Sequence, residues 1–169
     1  MKNLIVVTGG LGFIGSNLIE LLIKKKFNVL NIDNKSYSSN TYNTKSYYKN
    51  LKYFFEECDL NNQTKLSKII FKYKPICIFN LAAETHVDRS IDSPKSFIRS
   101  NILGVFKLLE VFKKYSKKNN KSRLIHISTD EVYGDVLNGR TNESFSYKPS
   151  SPYAASKAAS DHLVYSYVK

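Results

Sequence analysis

Apolar residues in this chain fall into short unbroken runs, separated by segments in which they recur every three or four positions. The runs are LIVV (4–7), NVLNI (28–32), ICIFNLA (76–82) and RLIHIS (123–128), with KYFFEE (52–57) as a plausible fifth. Runs without polar alternation suit strands covered by helices on both faces. Between them, Ile14, Leu18, Leu21 and Leu22 lie at helical spacing, as do Leu66, Ile69, Ile70 and Tyr73, and Ile98, Ile102, Val105, Leu109 and Phe112. Strands alternating with amphipathic helices predict βαβ units. The expected fold class is therefore α/β, a Rossmann-type doubly wound parallel sheet. The stretch from Asn34 to Asn50 carries neither period and is rich in Ser, Tyr and Asn, which predicts a long loop that is functional or mobile.

A last helix is predicted from about Pro152, with Ser150 or Ser151 as its cap, and it meets no Gly, Asn or Pro stop before Lys169. It would leave the RLIHIS strand at a bare sheet edge, which natural sheets avoid. The chain is thus expected to be the N-terminal piece of a longer protein. Its 169 residues, 42% of them hydrophobic, suffice for one domain with a real core.

The formal charge of +12 changes this picture little. Its lysines gather at positions 24–26, 72, 74, 113, 114, 117 and 118, where predicted helices end and cations favour the helix dipole. No interleaving of aromatic and basic residues points to nucleic acid, and no such partner is expected. No apolar stretch approaches the roughly 18 residues of a membrane span, and the N-terminal run is too short for a signal peptide. A cytoplasmic protein without a membrane partner is expected. Cys58 and Cys77 form no CxxC pair and have no histidine at ligand spacing, so reduced thiols and no metal site are expected.

Chemistry enters with "TGGLGFIGSN", which follows the first strand and opens the first helix. Gly9, Gly12 and Gly15 would allow a tight turn and a close approach of backbone to a pyrophosphate at the helix N-terminus. The second strand ends in Asp33, placed to accept from a ribose 2′-hydroxyl and to repel a 2′-phosphate. NAD is expected over NADP, a preference that Lys35 softens. Asp59, followed by Leu60 in "CDL", could accept from the adenine amino group or cap the next helix; the sequence favours neither.

Two further motifs carry titratable groups. "STDEVYG" places Asp130 and Glu131 side by side where a strand empties into a loop, and like charges that close disfavour joint ionisation. In "SSPYAASK", Tyr153 and Lys157 are i and i+4 on one helix face. A phenol titrates near 10, but an ammonium neighbour and a cationic nicotinamide would both favour its phenolate and make it a usable base. Thr129, at a strand end before such a helix, can hydrogen-bond a substrate hydroxyl that Tyr153 deprotonates.

Taken in order, "TGGLGFIG", "NLAAETHVDRS", "STDEVYG" and "YAASK" resemble the extended short-chain dehydrogenase/reductase family over essentially the whole chain. "AAETHVDRSI", "HISTDEVYGD" and "PSSPYAASKAASDHL" are most similar to the nucleotide-sugar 4,6-dehydratases within it. The resemblance implies an NAD-dependent lyase acting on a nucleotide sugar, with dTDP-glucose as the expected donor. Tyr153, with Thr129 and Lys157, would take the C4 hydroxyl proton as NAD takes the hydride. Glu131 would remove the C5 proton, and protonated Asp130 would release the C6 hydroxyl as water.

The resemblance also implies cofactor contacts from the backbone of Phe13 and Ile14, from Leu81, Ala82 and Ala83, from Ser100, and from Tyr153 and Lys157. Thr85 would meet the substrate. Residues 1–169 would form an incomplete NAD-binding Rossmann domain, with the C-terminal strands and small substrate domain missing, and the full-length protein would be a homodimer built on the long helix and the Tyr153 helix. His86 has no assigned role, and His126 and His162 are expected to be packing or surface residues. Two alternatives stay open: an epimerase or decarboxylase of another nucleotide sugar, and a non-catalytic NAD-binding module.

Overall fold

The computed structural model describes residues 3–168, which gather into two compact units. The first comprises residues up to Ala82 together with Lys107–Ile127; the second comprises Ala83–Phe106 and the residues from Ser128 onward.

The first unit is built on five parallel strands: β1 (Leu4–Thr8), β2 (Asn28–Asp33), β3 (Tyr53–Glu57), β4 (Cys77–Asn80) and β5 (Arg123–His126). They lie in the order β3-β2-β1-β4-β5, so the first strand is central and both its neighbours follow crossovers. Every residue of β1 is buried, as an apolar run without alternation requires. Its side chains point alternately to two layers. Leu4 and Val6 join Leu30, Ile32 and Ile78 beneath Leu66, Ile69 and Ile70 of α2 (Gln63–Tyr73) and Leu108, Val111 and Tyr115 of α5 (Val105–Ser116). On the other face, Ile5, Val7 and Val29 pack with Ile19 and Leu22 of α1 (Phe13–Lys24) and with Tyr53. Each such fully buried aliphatic side chain stabilises the fold by roughly 1.5–3 kcal/mol.

The predicted α2 face holds, but that of α1 slips. Ile14 and Leu21 are 63% and 49% exposed, and the buried positions are Gly15, Ser16, Ile19 and Leu22. The cause lies in the glycine turn. A Cβ on Gly15 would stand 2.3 Å from the Gly9 carbonyl oxygen, so this position must face the turn bare, and it sets the rotation of the helix. The strands are also shorter than their apolar runs: beyond Asn80 the backbone N–H of Leu81 and that of Ala82 turn to the carbonyl and hydroxyl of Thr8. Within the expected loop from Asn34 to Asn50, residues Thr41–Tyr47 wind into a 3-10 helix capped by the Asn40 side chain.

The second unit contains α3 (Val87–Asp92), α4 (Pro94–Phe97), a π-helical segment Ile98–Gly104, a 3-10 turn Asp130–Tyr133 and α6 (Pro152–Ser166). Wider π winding breaks the 3.6-residue period, so Ile98 is 51% exposed and Asn101 and Gly104 point inward instead. Helix α6 starts as predicted, with the Ser151 hydroxyl accepting from the Ala154 N–H and Pro152 at the first position. It ends at Ser166 with Tyr167 as its cap, short of the predicted run to Lys169, which lies outside the described residues. Among the described residues, no helix is long and apolar enough to cross a membrane, and no group of His, Cys, Asp and Glu could hold a metal ion.

Candidate active site

The glycine loop and the strand ends of the first unit form one constellation. Gly9 has φ +70°, and a Cβ there would lie 2.8 Å from the Ala82 Cα; its N–H donates to the Ile32 carbonyl. Only a glycine lets the loop run this close to the end of β4. Gly10 is crowded by side chains rather than backbone: a Cβ there would meet Asn31 Oδ1 at 2.2 Å and Ile19 Cδ1 at 2.6 Å. Gly12 opens α1 without a side-chain cap, and Phe13 and Ile14 stand exposed at its first turn, where backbone N–H groups suit an anion.

Asp33 is 5% exposed and anchors the loop that follows it. Its Oδ2 accepts from the Leu11 N–H, and its Oδ1 from the Lys35 N–H and the Ser39 hydroxyl. Oδ2, with one donor, retains room to accept a hydroxyl. Lys35 adopts a left-handed φ of +53° and commits its ammonium to Glu57 at 2.6 Å, over the Phe55 ring. The cation that softens the NAD preference is therefore already engaged. Asp59 does not cap α2: Asn62 does, accepting from the Lys65 N–H, while Asp59 accepts from the backbone and side chain of Asn61. The Leu60 side chain lies in the core, which leaves its backbone as the part that could meet a ligand. Thr8, Asn80 and His126 form a partly buried chain of hydrogen bonds under Leu81 and Ala82, so His126 does more than pack.

In the second unit, α6 presents Tyr153 and Lys157, 8% and 5% exposed. The Thr129 hydroxyl, which donates to Asp130 Oδ1 at 3.3 Å, lies near enough to the Tyr153 phenol to favour its ionised form, and the Tyr153 ring meets Phe97 edge-on at 6.3 Å. The Tyr153 backbone N–H, an orphan of the helix start, donates to Ser90 Oγ at 3.0 Å. Asn101, from the π-helical segment, donates to the Glu84 carbonyl and to Ser156 Oγ and accepts from the Glu84 N–H. Ser156 donates to the Tyr153 carbonyl. Ser90 and Asn101 thus fix α6 and the segment leading to Thr85, and neither was singled out in the sequence. Thr85 is exposed and Ser100 half-buried; Ala83 begins the unit.

Thr129 caps the 3-10 turn that carries Asp130 and Glu131, accepting from the Glu131 N–H at 3.4 Å. Burial first, and then the charge of Asp130, raise the Glu131 carboxyl above its ordinary range. Burial is also the main force on Tyr153, raising its phenol, with Glu131 and Asp130 adding to the rise and the Thr129 hydrogen bond opposing it. Lys157 is lowered by burial, against the pull of Asp161. In the free protein burial thus favours the neutral form of the Tyr153 phenol.

The chain resembles known proteins along nearly its whole length. It is 44% identical to the dTDP-glucose 4,6-dehydratase of Salmonella typhimurium over 95% of this chain and 49% of that protein. The dTDP-glucose 4,6-dehydratase of Streptomyces venezuelae, solved with NAD and TYD bound, superposes with a TM-score of 0.88 at 34% identity, covering 97% of this chain and 51% of that one. The UDP-glucose 4-epimerase of Thermus thermophilus, solved with NAD, gives a TM-score of 0.85 at 30% identity, covering 97% and 50%. The chain spans about half the length of the curated relatives it matches. With the model of the GDP-mannose 4,6 dehydratase family matching residues 6–169, the chain belongs to that family.

Proposed function

We propose that this chain carries the NAD-binding and catalytic residues of a dTDP-glucose 4,6-dehydratase. The observation that carries the reading is the Asp130–Glu131 pair, held on a 3-10 turn capped by Thr129, the residue whose hydroxyl also acts on the Tyr153 phenol. A C4 epimerisation needs the tyrosine and threonine but no adjacent acid and base, whereas loss of water across C5 and C6 needs both.

NAD fits the residues present. Missing Cβ atoms at Gly9 and Gly15 open the turn, α1 begins without a side-chain cap, and Asp33 offers Oδ2 to a ribose hydroxyl. When bound, the cofactor supplies hydride acceptance from C4 and later hydride return to C6. Tyr153 removes the C4 hydroxyl proton, and Thr129 orients that hydroxyl. The resulting 4-keto group acidifies C5, and Glu131 takes its proton. Asp130 gives a proton to the departing C6 hydroxyl, which leaves as water. The dTDP-sugar, and a homodimer built on α5 with the π-helical segment before it and on α6, complete the reading.

Incubation with NAD and dTDP-glucose should yield the 6-deoxy-4-keto sugar. Glu131→Gln should lower product formation by about 10²- to 10⁴-fold while leaving NAD binding intact. Unchanged turnover in Glu131→Gln with Asp130→Asn would point to a different nucleotide-sugar reaction, and NAD binding without any product to a silent module.

A further inference from the structure

The proposed reaction leaves one charged side chain of α6 without a role. Tyr153, Lys157 and Asp161 follow one another at intervals of four, and so line one face of the helix. Asp161 Oδ2 accepts from the Tyr147 hydroxyl at 3.1 Å and from the Ser128 hydroxyl. The Tyr147 ring is itself wedged, edge-on to Tyr133 at 5.3 Å and tilted against His162 at 5.3 Å. Ser128 immediately precedes Thr129, whose hydroxyl donates to Asp130 Oδ1 and acts on the Tyr153 phenol. Consecutive hydroxyl residues therefore meet the two ends of this ladder, Ser128 bonded to Asp161 and Thr129 acting on Tyr153, with Lys157 between them.

We propose that Asp161 is a positioning residue: oriented by Ser128 and Tyr147, it keeps the buried Lys157 side chain charged and aligned beside Tyr153. Its catalytic consequence rests on the function proposed above; its electrostatic part does not.

Lys157 is 5% exposed, and an ammonium so placed is costly without a carboxylate to offset the lost hydration. Burial lowers its pKa and Asp161 raises it. The elements packed against α6 carry Asp88, Arg89 and Asp92 on α3, Lys95 on α4, Arg99 on the π-helical segment, and Asp130 and Glu131 on the 3-10 turn. Asp161 is the carboxylate that opposes the burial cost. Tyr147 is suited to hold it. Burial and the adjacent Asp161 push its phenol up to about 12, so it stays a hydrogen-bond donor throughout the working range.

The test is to titrate Lys157 by its 13Cε NMR signal, assigned through its loss in Lys157→Met, in the 169-residue chain. Asp161→Asn should move the titration down by about one pH unit, equivalent to a tenfold change in the proton equilibrium. Ser128→Ala and Tyr147→Phe should each move it in the same direction by less. With dTDP-glucose as substrate, the alkaline limb of the turnover profile should shift to lower pH in Asp161→Asn and return in Asp161→Glu. A Lys157 titration unmoved in all three variants overturns the inference. A downward shift in a chain that shows no turnover upholds the inference and counts against the proposed reaction instead.

Discussion

Between Asp130 and Glu131, burial and charge push in the same direction. The Glu131 carboxyl is raised from 4.5 chiefly because it is half-buried, and secondarily because Asp130 is beside it. Removing the neighbour's charge with Asp130→Asn should therefore bring the Glu131 titration down only part of the way, as read by side-chain carboxyl NMR; a full return to 4.5 would show that charge, not burial, governs it. Lys157 runs the opposite way. Its folded pKa is lowered, so between that value and its unfolded value the unfolded chain binds more protons, and stability rises with pH across that window. Lys157→Met should consequently remove that rise, leaving stability flatter between neutral pH and 10.5 than in the unsubstituted chain, measured by urea denaturation at several pH values. These roles were open to sequence reasoning because the partners are close along the chain or share a helix face. Ser90, whose partner Tyr153 is 63 positions away, and Asn101, 55 from Ser156, were not: a buried serine or asparagine has no periodic signature, and its value depends on what the fold brings to it.

At the scale of elements, the same contrast has a geometric cause. Strand β1, the glycine turn and the start of α6 follow from local rules: an apolar run, small residues at a turn, a serine cap before proline. The phase of a helix does not, once something outside its own sequence rotates it. In α1 that agent is the contact of Gly15 with the Gly9 carbonyl; in the segment from Ile98 it is the π winding, which turns Asn101 inward. Such winding weakens local hydrogen bonding, and here three bonds from Asn101 to Glu84 and Ser156 stand against that loss. Asn101→Ala would leave the Glu84 backbone groups without these partners, and should destabilise the fold by about 3 kcal/mol in denaturant unfolding. If the cost is no more than a few tenths, the π-helical segment is held by its apolar neighbours instead.

On the scale of the whole molecule, alternation of strands and helices made a doubly wound sheet legible, but it did not distinguish which strand is central. That depends on where each crossover returns, and α2 and α5 pack on one face while α1 takes the other. A further whole-molecule property is written on the surface rather than in the core. Ile98, Leu103 and Phe106 of the second unit are 51%, 47% and 41% exposed, and Tyr165 on α6 is 80% exposed. Large apolar side chains recurring along one helix are what a subunit interface requires, since its fully buried centre is depleted of charge and enriched in aromatics. The proposed homodimer would cover them with a second copy of the same surface, in a two-fold arrangement in which each helix meets its counterpart. Light scattering on a size-exclusion column should then give twice the chain's mass, and Phe106→Glu, which would place a charge in that centre, should give the monomer mass with the far-ultraviolet circular dichroism unchanged. A wild-type chain that elutes as a monomer at every concentration would instead assign these side chains to another partner surface.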